Sequence, residues 1–259
     1  MSAPFETLPR TPGPDRRCIV LGGSGALGGA VCRWLHARNA KVFFTWNKNA
    51  ERAEVLQREL TGVDGCQLDV RENGKIETVI NAAAAKLGGV DALINCVGIG
   101  LANGRAPAQG HVKMGEIVEA EWDEMQTVNI KAAFFACRAV LPHLTAAGGG
   151  NIVLTGSIDG VKPLPAPVHY SAAKAALVGL VKAMSKELGP KAICTNVVAP
   201  GVMEQGVSRT LPANLLAEYN KHSGLGRPAR LEEVASVICW LALENTHITG
   251  QTILLDGAL

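Results

Sequence analysis

The chain has 259 residues, 47% hydrophobic and only 4% aromatic, with a net charge of +2 at pH 7 and a pI near 8.2. That length suits one large α/β domain, and the near-neutral charge without a basic stripe excludes nucleic acid as an expected partner. No apolar run reaches transmembrane length and no signal-peptide pattern precedes the first strand, so a cytoplasmic protein with no membrane partner is expected.

Residues 1–15 hold Pro4, Pro9, Pro12 and Pro14 and read as a flexible N-terminal tail, leaving 16–259 as a single domain. From there strand-like and helix-like segments alternate, which predicts a doubly wound parallel sheet flanked by helices. The strands expected are 17–22, 41–46, 66–70, 91–98, 151–156, 192–201 and 252–257. The helices expected are 26–38, 50–60, 75–87, a long one over 121–147 with Pro142 as a break, 168–188 and 231–243. Residues 99–120 show no clear period, and 202–228 read as short helices and loop; both are expected to line the substrate. Seven cysteines, with no Cys-x-x-Cys pair, lie mostly in apolar patterns. They read as small buried hydrophobes, and no metal site is expected.

Four places carry chemistry. The first strand-helix turn reads LGGSGALGG, with Gly22, Gly25 and Gly28 able to bring backbone N–H groups up to a pyrophosphate at a helix N-terminus. Asp69 falls at the end of the third strand, where a carboxylate can take an adenine amino group or cap the following helix. Asn129 lies mid-helix beside an apolar face and asks for a partner. Finally, Ser157 follows a strand, and Tyr170 and Lys174 sit one turn apart on the next helix. An ammonium beside a phenol stabilises phenolate and pulls its pKa down from about 10.

Taken together, these residues resemble the short-chain dehydrogenase/reductase family over essentially the whole chain after the tail. In that resemblance Gly22, Gly25 and Gly28 form the glycine turn, with Ser24 and Leu27 beside it. Asp69 and Val70 stand on the adenine side, Asn95 to Gly98 closes the fourth strand, and Pro200-Gly201 follows the sixth. Asn129, Ser157, Tyr170 and Lys174 match the catalytic tetrad. The resemblance implies a Rossmann-type fold, a homotetramer, and hydride transfer between a nicotinamide and a carbonyl carbon. Tyr170 would be the general acid, Lys174 would tune it and hold the nicotinamide ribose, Ser157 would orient the carbonyl, and Asn129 would hold a water. The chain departs from the family at Leu21, where Thr is usual, and at Gly25-Ala26, where the middle glycine is displaced.

Within the family the C-terminal half is most similar to 3-oxoacyl-(acyl-carrier-protein) reductases. That implies reduction of a 3-oxoacyl thioester, with an acyl carrier protein as a possible partner at Lys191 and Lys186 and at the position of Pro142 or His143. The same lysines also suit a solvated helix C-terminus. An NAD-linked dehydrogenase for a sterol, sugar or diol, and a non-catalytic binding subunit, are the alternatives. The wider Tyr-Lys spacing of enoyl reductases disfavours that chemistry. At the end of the second strand Trp46 stands where an NAD-binding chain has an acid, followed by Asn47 and Lys48. With no carboxylate to repel a 2′-phosphate, NADP(H) is expected over NAD(H), with Thr45, Asn47 and Lys48 as phosphate ligands and Trp46 near the adenine.

Overall fold

The computed structural model describes residues 15–100, 112–206 and 213–259. The tail expected over 1–15, except Asp15, and parts of the expected substrate segments 99–120 and 202–228 lie outside the described residues. The elements are β1 (Arg17–Leu21), α1 (Ala26–His36), β2 (Lys41–Trp46), α2 (Ala50–Glu59), β3 (Asp64–Gln67), α3 (Asn73–Leu87) and β4 (Ala92–Asn95). They continue with α4 (Glu119–Gln126), α5 (Ala132–Ala146), β5 (Gly150–Thr155), α6 (Val168–Leu188), β6 (Ile193–Pro200), α7 (Ala213–His222), α8 (Leu231–Leu243) and β7 (Thr252–Leu255).

The seven strands form one sheet in the order β3-β2-β1-β4-β5-β6-β7, and every neighbouring pair is parallel. Alternation along β1 shows why its short apolar run is a strand buried on both faces. Cys18 and Val20 pack into the layer of α1, α2 and α8, while Ile19 and Leu21 pack into the layer of α3, α5 and α6. The chain winds outward from β1 through β2 to β3, then returns to β4 on the other side of β1. This reversal opens a crevice beyond the carboxyl ends of β1 and β4, where Leu21 stands opposite Asn95.

β4 and β7 end earlier than expected, at Asn95 and Leu255, and two other elements differ more deeply. β3 ends at Gln67, so Asp69 lies beyond it rather than closing it. Its burial is shallow because β3 is an edge strand. The long helix expected over 121–147 is α4 and α5 joined by a π-helical turn, Thr127–Lys131. Pro142 lies inside α5 and does not end it. A proline there costs about 3 kcal/mol or more, and the burial of Ala136, Val140 and Leu144 on the inner face offsets it.

Candidate active site

The crevice floor is built by glycines. Gly22 has φ +78°, in the left-handed region. Its N–H donates to Thr45 Oγ1 at 3.1 Å, and Gly25 N–H donates back to Gly22 O at 3.0 Å. A Cβ on Gly28 would run into the Gly22 carbonyl, so only glycine lets α1 start this close to the turn. Gly23, absent from the sequence-based site, is needed for a different reason: a Cβ there would lie 2.5 Å from the Phe44 side chain. The α1 N-cap is Gly25, which offers no side-chain hydrogen bond, and the first turn holds no acid. Its amide N–H groups are therefore left for an external anion, and a dinucleotide pyrophosphate fits them. Ser24 is half-buried and Gly25 exposed at the rim, with Leu27 buried beneath.

At the end of β2 the picture is mixed. Thr45 is buried, and its hydroxyl oxygen accepts from Gly22 N–H, which leaves its proton to donate. Trp46 leans on Phe44, with ring centroids 5.8 Å apart, and covers Gly65, whose Cβ would lie 3.1 Å from the indole. Asn47 and Lys48 are half-buried and exposed. The Asp69 carboxylate is held by Arg71 through its backbone N–H at 3.0 Å and its guanidinium Nε at 2.9 Å. Arg71 chiefly, with smaller help from Asn47, holds the Asp69 carboxyl below the usual carboxylate range. Both readings of Asp69 thus need a third participant, Arg71, which lay outside the sequence-based site. Val70 is buried in the core.

Across the crevice the polar side chains converge. Asn95, buried at the end of β4, accepts from Val97 N–H at 3.0 Å and shapes the turn to Gly98. A Cβ on Gly98 would lie 2.9 Å from Asn129 Oδ1 and 3.0 Å from Lys174 Nζ. The partner that Asn129 required is the backbone. Its Oδ1 accepts from Ile99 N–H at 3.2 Å, and its Nδ2 donates to Ile99 O at 3.0 Å and Met125 O at 3.1 Å. The Lys174 ammonium donates to Thr155 O at 3.1 Å and lies 5.7 Å from the centroid of the Tyr170 ring. Pro200 closes β6, and Gly201 packs against Tyr219 and Asp256 with no room for a Cβ.

Electrostatics here run against the simple phenol-ammonium picture. Burial pushes Tyr170 up to about 12, with the hydrogen bond from Ser157 drawing it down and Asp159 raising it. Burial also brings Lys174 down to about 8, opposed by Cys96 and Asp159. Desolvation of the phenolate is the largest influence on Tyr170. Asp159 was not anticipated. Ser157 Oγ donates to Asp159 Oδ2 at 2.9 Å, inside the 3₁₀ turn Ile158–Gly160. An acid two residues after a catalytic-type Ser was the one available signal.

A doubly wound parallel sheet, an uncapped helix N-terminus at the switch point, and a Ser-Tyr-Lys-Asn cluster opposite it define a dinucleotide-linked oxidoreductase. The chain belongs to the short-chain dehydrogenase/reductase family: residues 23–259 match the family model described as enoyl-(acyl carrier protein) reductase. It is similar to the 3-oxoacyl-(acyl-carrier-protein) reductase FabG of Chlamydia pneumoniae, at 29% identity, over 94% of this chain and 96% of that protein. It is also similar to a protein of Rhizobium meliloti named "Probable galactose dehydrogenase GalD", at 30% identity, over 98% of this chain and 99% of that one. Among solved structures, a short-chain dehydrogenase from Burkholderia cenocepacia in complex with NADP superposes with a TM-score of 0.85 at 27% identity, covering 95% of this chain and 98% of that one.

Proposed function

We propose that the protein uses NADP(H) to reduce a ketone to a secondary alcohol, with a 3-oxoacyl thioester as the substrate class. The observation that carries this reading is the meeting of Ser157, Tyr170 and Lys174 with the uncapped start of α1 across one crevice. The bound nicotinamide supplies the hydride. Tyr170 holds its proton until a carbonyl oxygen takes it, and Ser157 orients that oxygen. Lys174, fixed by Thr155 O, would hold a positive charge beside the phenol. Gly22, Gly25, Gly28 and Ser24 would hold the pyrophosphate; Asn95 and Gly98 would shape the floor under the nicotinamide side. The amide of Asn129 is occupied, so a water linked to Lys174 would be held through its main-chain carbonyl.

NADP(H) is favoured by the missing acid at Trp46, with Lys48 exposed nearby and Arg71 within the same corner. The NADP complex of the Burkholderia relative points the same way. The relatives named as 3-oxoacyl-(acyl-carrier-protein) reductases favour the thioester. Lys186 and Lys191 are exposed for an acidic carrier, whereas His143 is tied to Asn81 at 2.7 Å. A second reading, oxidation of a sugar or diol, is favoured by the galactose dehydrogenase relative. Turnover of acetoacetyl thioesters against cyclic ketones and aldoses, with each cofactor, tests both. Reduction of the thioester at the highest kcat/KM supports the first reading, and oxidation of aldoses alone replaces it with the second. A homotetramer is part of the proposal. A groove of about 740 Å³ along α4, α5 and α6, lined by Ile130, Phe134 and Leu180 together with Asp123, Gln126 and Lys131, is a mixed face that such packing would cover. A monomer mass by light scattering at micromolar concentration would count against it.

A further inference from the structure

Asp159 is an ionisable group in this cluster that the proposed mechanism leaves unused. It is half-buried in the turn between β5 and α6. A Cβ on Gly160 would lie 2.6 Å from Ala175 N, so this turn is seated firmly on α6. Ser157 and Asp159 are joined twice: the hydroxyl donates to Oδ2 at 2.9 Å, and Asp159 N–H donates to Oγ at 3.3 Å.

The consequence follows from counting protons. A serine hydroxyl has one proton and two lone pairs. Asp159 Oδ2, the Tyr170 oxygen and a substrate carbonyl all compete for that proton. An ionised carboxylate is the strongest of the three acceptors, since charge-assisted bonds are roughly twice as strong as neutral ones. With its proton on Asp159 and one lone pair used by Asp159 N–H, Ser157 keeps one lone pair, open to the Tyr170 O–H or to a carbinol O–H, and has no proton for a ketone. A carbinol has a proton to give it; a ketone has none, and lone pairs would face each other. Once Asp159 is protonated, the Ser157 proton is released to point at a carbonyl.

We propose that Asp159 is a positioning residue that sets the direction of the Ser157 hydroxyl, so that its ionised form selects the secondary alcohol and its protonated form the ketone. This rests on the reading of Ser157 as the residue that orients the substrate oxygen. The groups facing Asp159 are Ser157 on its own turn and Tyr170 and Lys174 on α6. Burial raises the Asp159 carboxyl above the usual carboxylate range, with the Ser157 bond and the Lys174 charge opposing. Between pH 5 and 7 Lys174, near 8, stays charged and Tyr170, near 12, stays neutral. His169, beside Tyr170, is held below its ordinary value by burial and faces Glu121 on α4.

The test uses the full chain and complexes that cannot turn over: cyclohexanone with NADP⁺ and cyclohexanol with NADPH, their dissociation constants measured by calorimetry from pH 7 downward over the range in which the chain stays folded. In the wild type, the ratio of ketone to alcohol dissociation constant should fall about fivefold as the pH falls and Asp159 takes up its proton, because one hydrogen bond changes direction. Asp159→Val should shift the pH 7 ratio at least fivefold toward the ketone and remove its pH dependence. Asp159→Asn keeps the shape and an accepting oxygen but cannot titrate. It should lose the pH dependence and hold an intermediate ratio, which also separates Asp159 from His169. If Asp159→Val fails to bind NADPH through misfolding, the Asn variant decides. A ratio that does not vary with pH in the wild type, a pH dependence that survives in Asp159→Asn, or no saturable binding of either probe would overturn the proposal. A wild type that binds neither cofactor overturns the cofactor reading instead, and this one with it.

Discussion

The two banks of the crevice are made of different things. The β1–β2 bank, where a dinucleotide would lie, is almost all backbone: Gly22, Gly23 and Gly28 are there for what a Cβ would hit, and its one buried hydroxyl, Thr45, serves Gly22. The β4–β6 bank is made of buried polar side chains, Asn95, Asn129, Ser157 and Lys174, each hydrogen-bonded within the fold. A bank of backbone can tolerate a change of charge but not of volume. A bank of buried polar groups is sensitive to the loss of single atoms, because an abandoned partner bears the full desolvation cost.

That contrast can be broken most sharply at Tyr170. Tyr170→Phe keeps the ring and removes the proton, so kcat should fall by about 10²–10⁴-fold while NADPH affinity, read by fluorescence titration, stays within a factor of two or so. Parallel loss of both would mean that the two banks are not separable. Gly28→Ala should do the opposite. Its methyl group meets the Gly22 carbonyl, an overpacking cost of about 1–3 kcal/mol. The result should be a raised KM for NADPH and a lowered unfolding midpoint, with kcat at saturation changed least. A kcat loss with unchanged KM would contradict the steric account.

Smaller effects test the β2 corner. Trp46→Asp restores a carboxylate where a 2′-phosphate would lie and should move the NADPH/NADH ratio of kcat/KM about tenfold toward NADH. An unchanged ratio would place the recognition of that phosphate elsewhere, with Arg71 the first residue to try next. Thr45→Val keeps the volume and strands the Gly22 N–H. A cost of about 1–3 kcal/mol in urea unfolding is expected, with no change of cofactor preference. If the preference shifts, Thr45 touches the phosphate after all.

Much of this was legible in the order of the residues. α6 and α8 begin and end where the apolar period does, and β2 where its apolar run does. The glycine turn and the Tyr170–Lys174 pair have spacings that suggest a mechanism, and the resemblance to the short-chain dehydrogenase/reductase family joined them with Asn129 and Ser157 into a tetrad. β3 was placed too late in the chain because DGCQ on a sheet edge is only partly buried and shows little pattern. The π turn at Thr127–Lys131 was invisible because widening a helix by one residue leaves its composition helical.

The chain alone therefore determined the class of fold, the run of strands and helices, and which side chains could do acid-base chemistry. These follow from periodicity and from residue type, both local properties. The tertiary structure decided the state of those groups: that Tyr170 is raised by burial rather than lowered by Lys174, that the Asn129 amide and the Thr45 oxygen bind backbone, and that Asp69 belongs to Arg71 and Ser157 to Asp159. A pKa and the direction of a hydrogen bond depend on what surrounds an atom in three dimensions. Much of that surrounding is set by segments far apart in the chain, which meet only when the sheet closes.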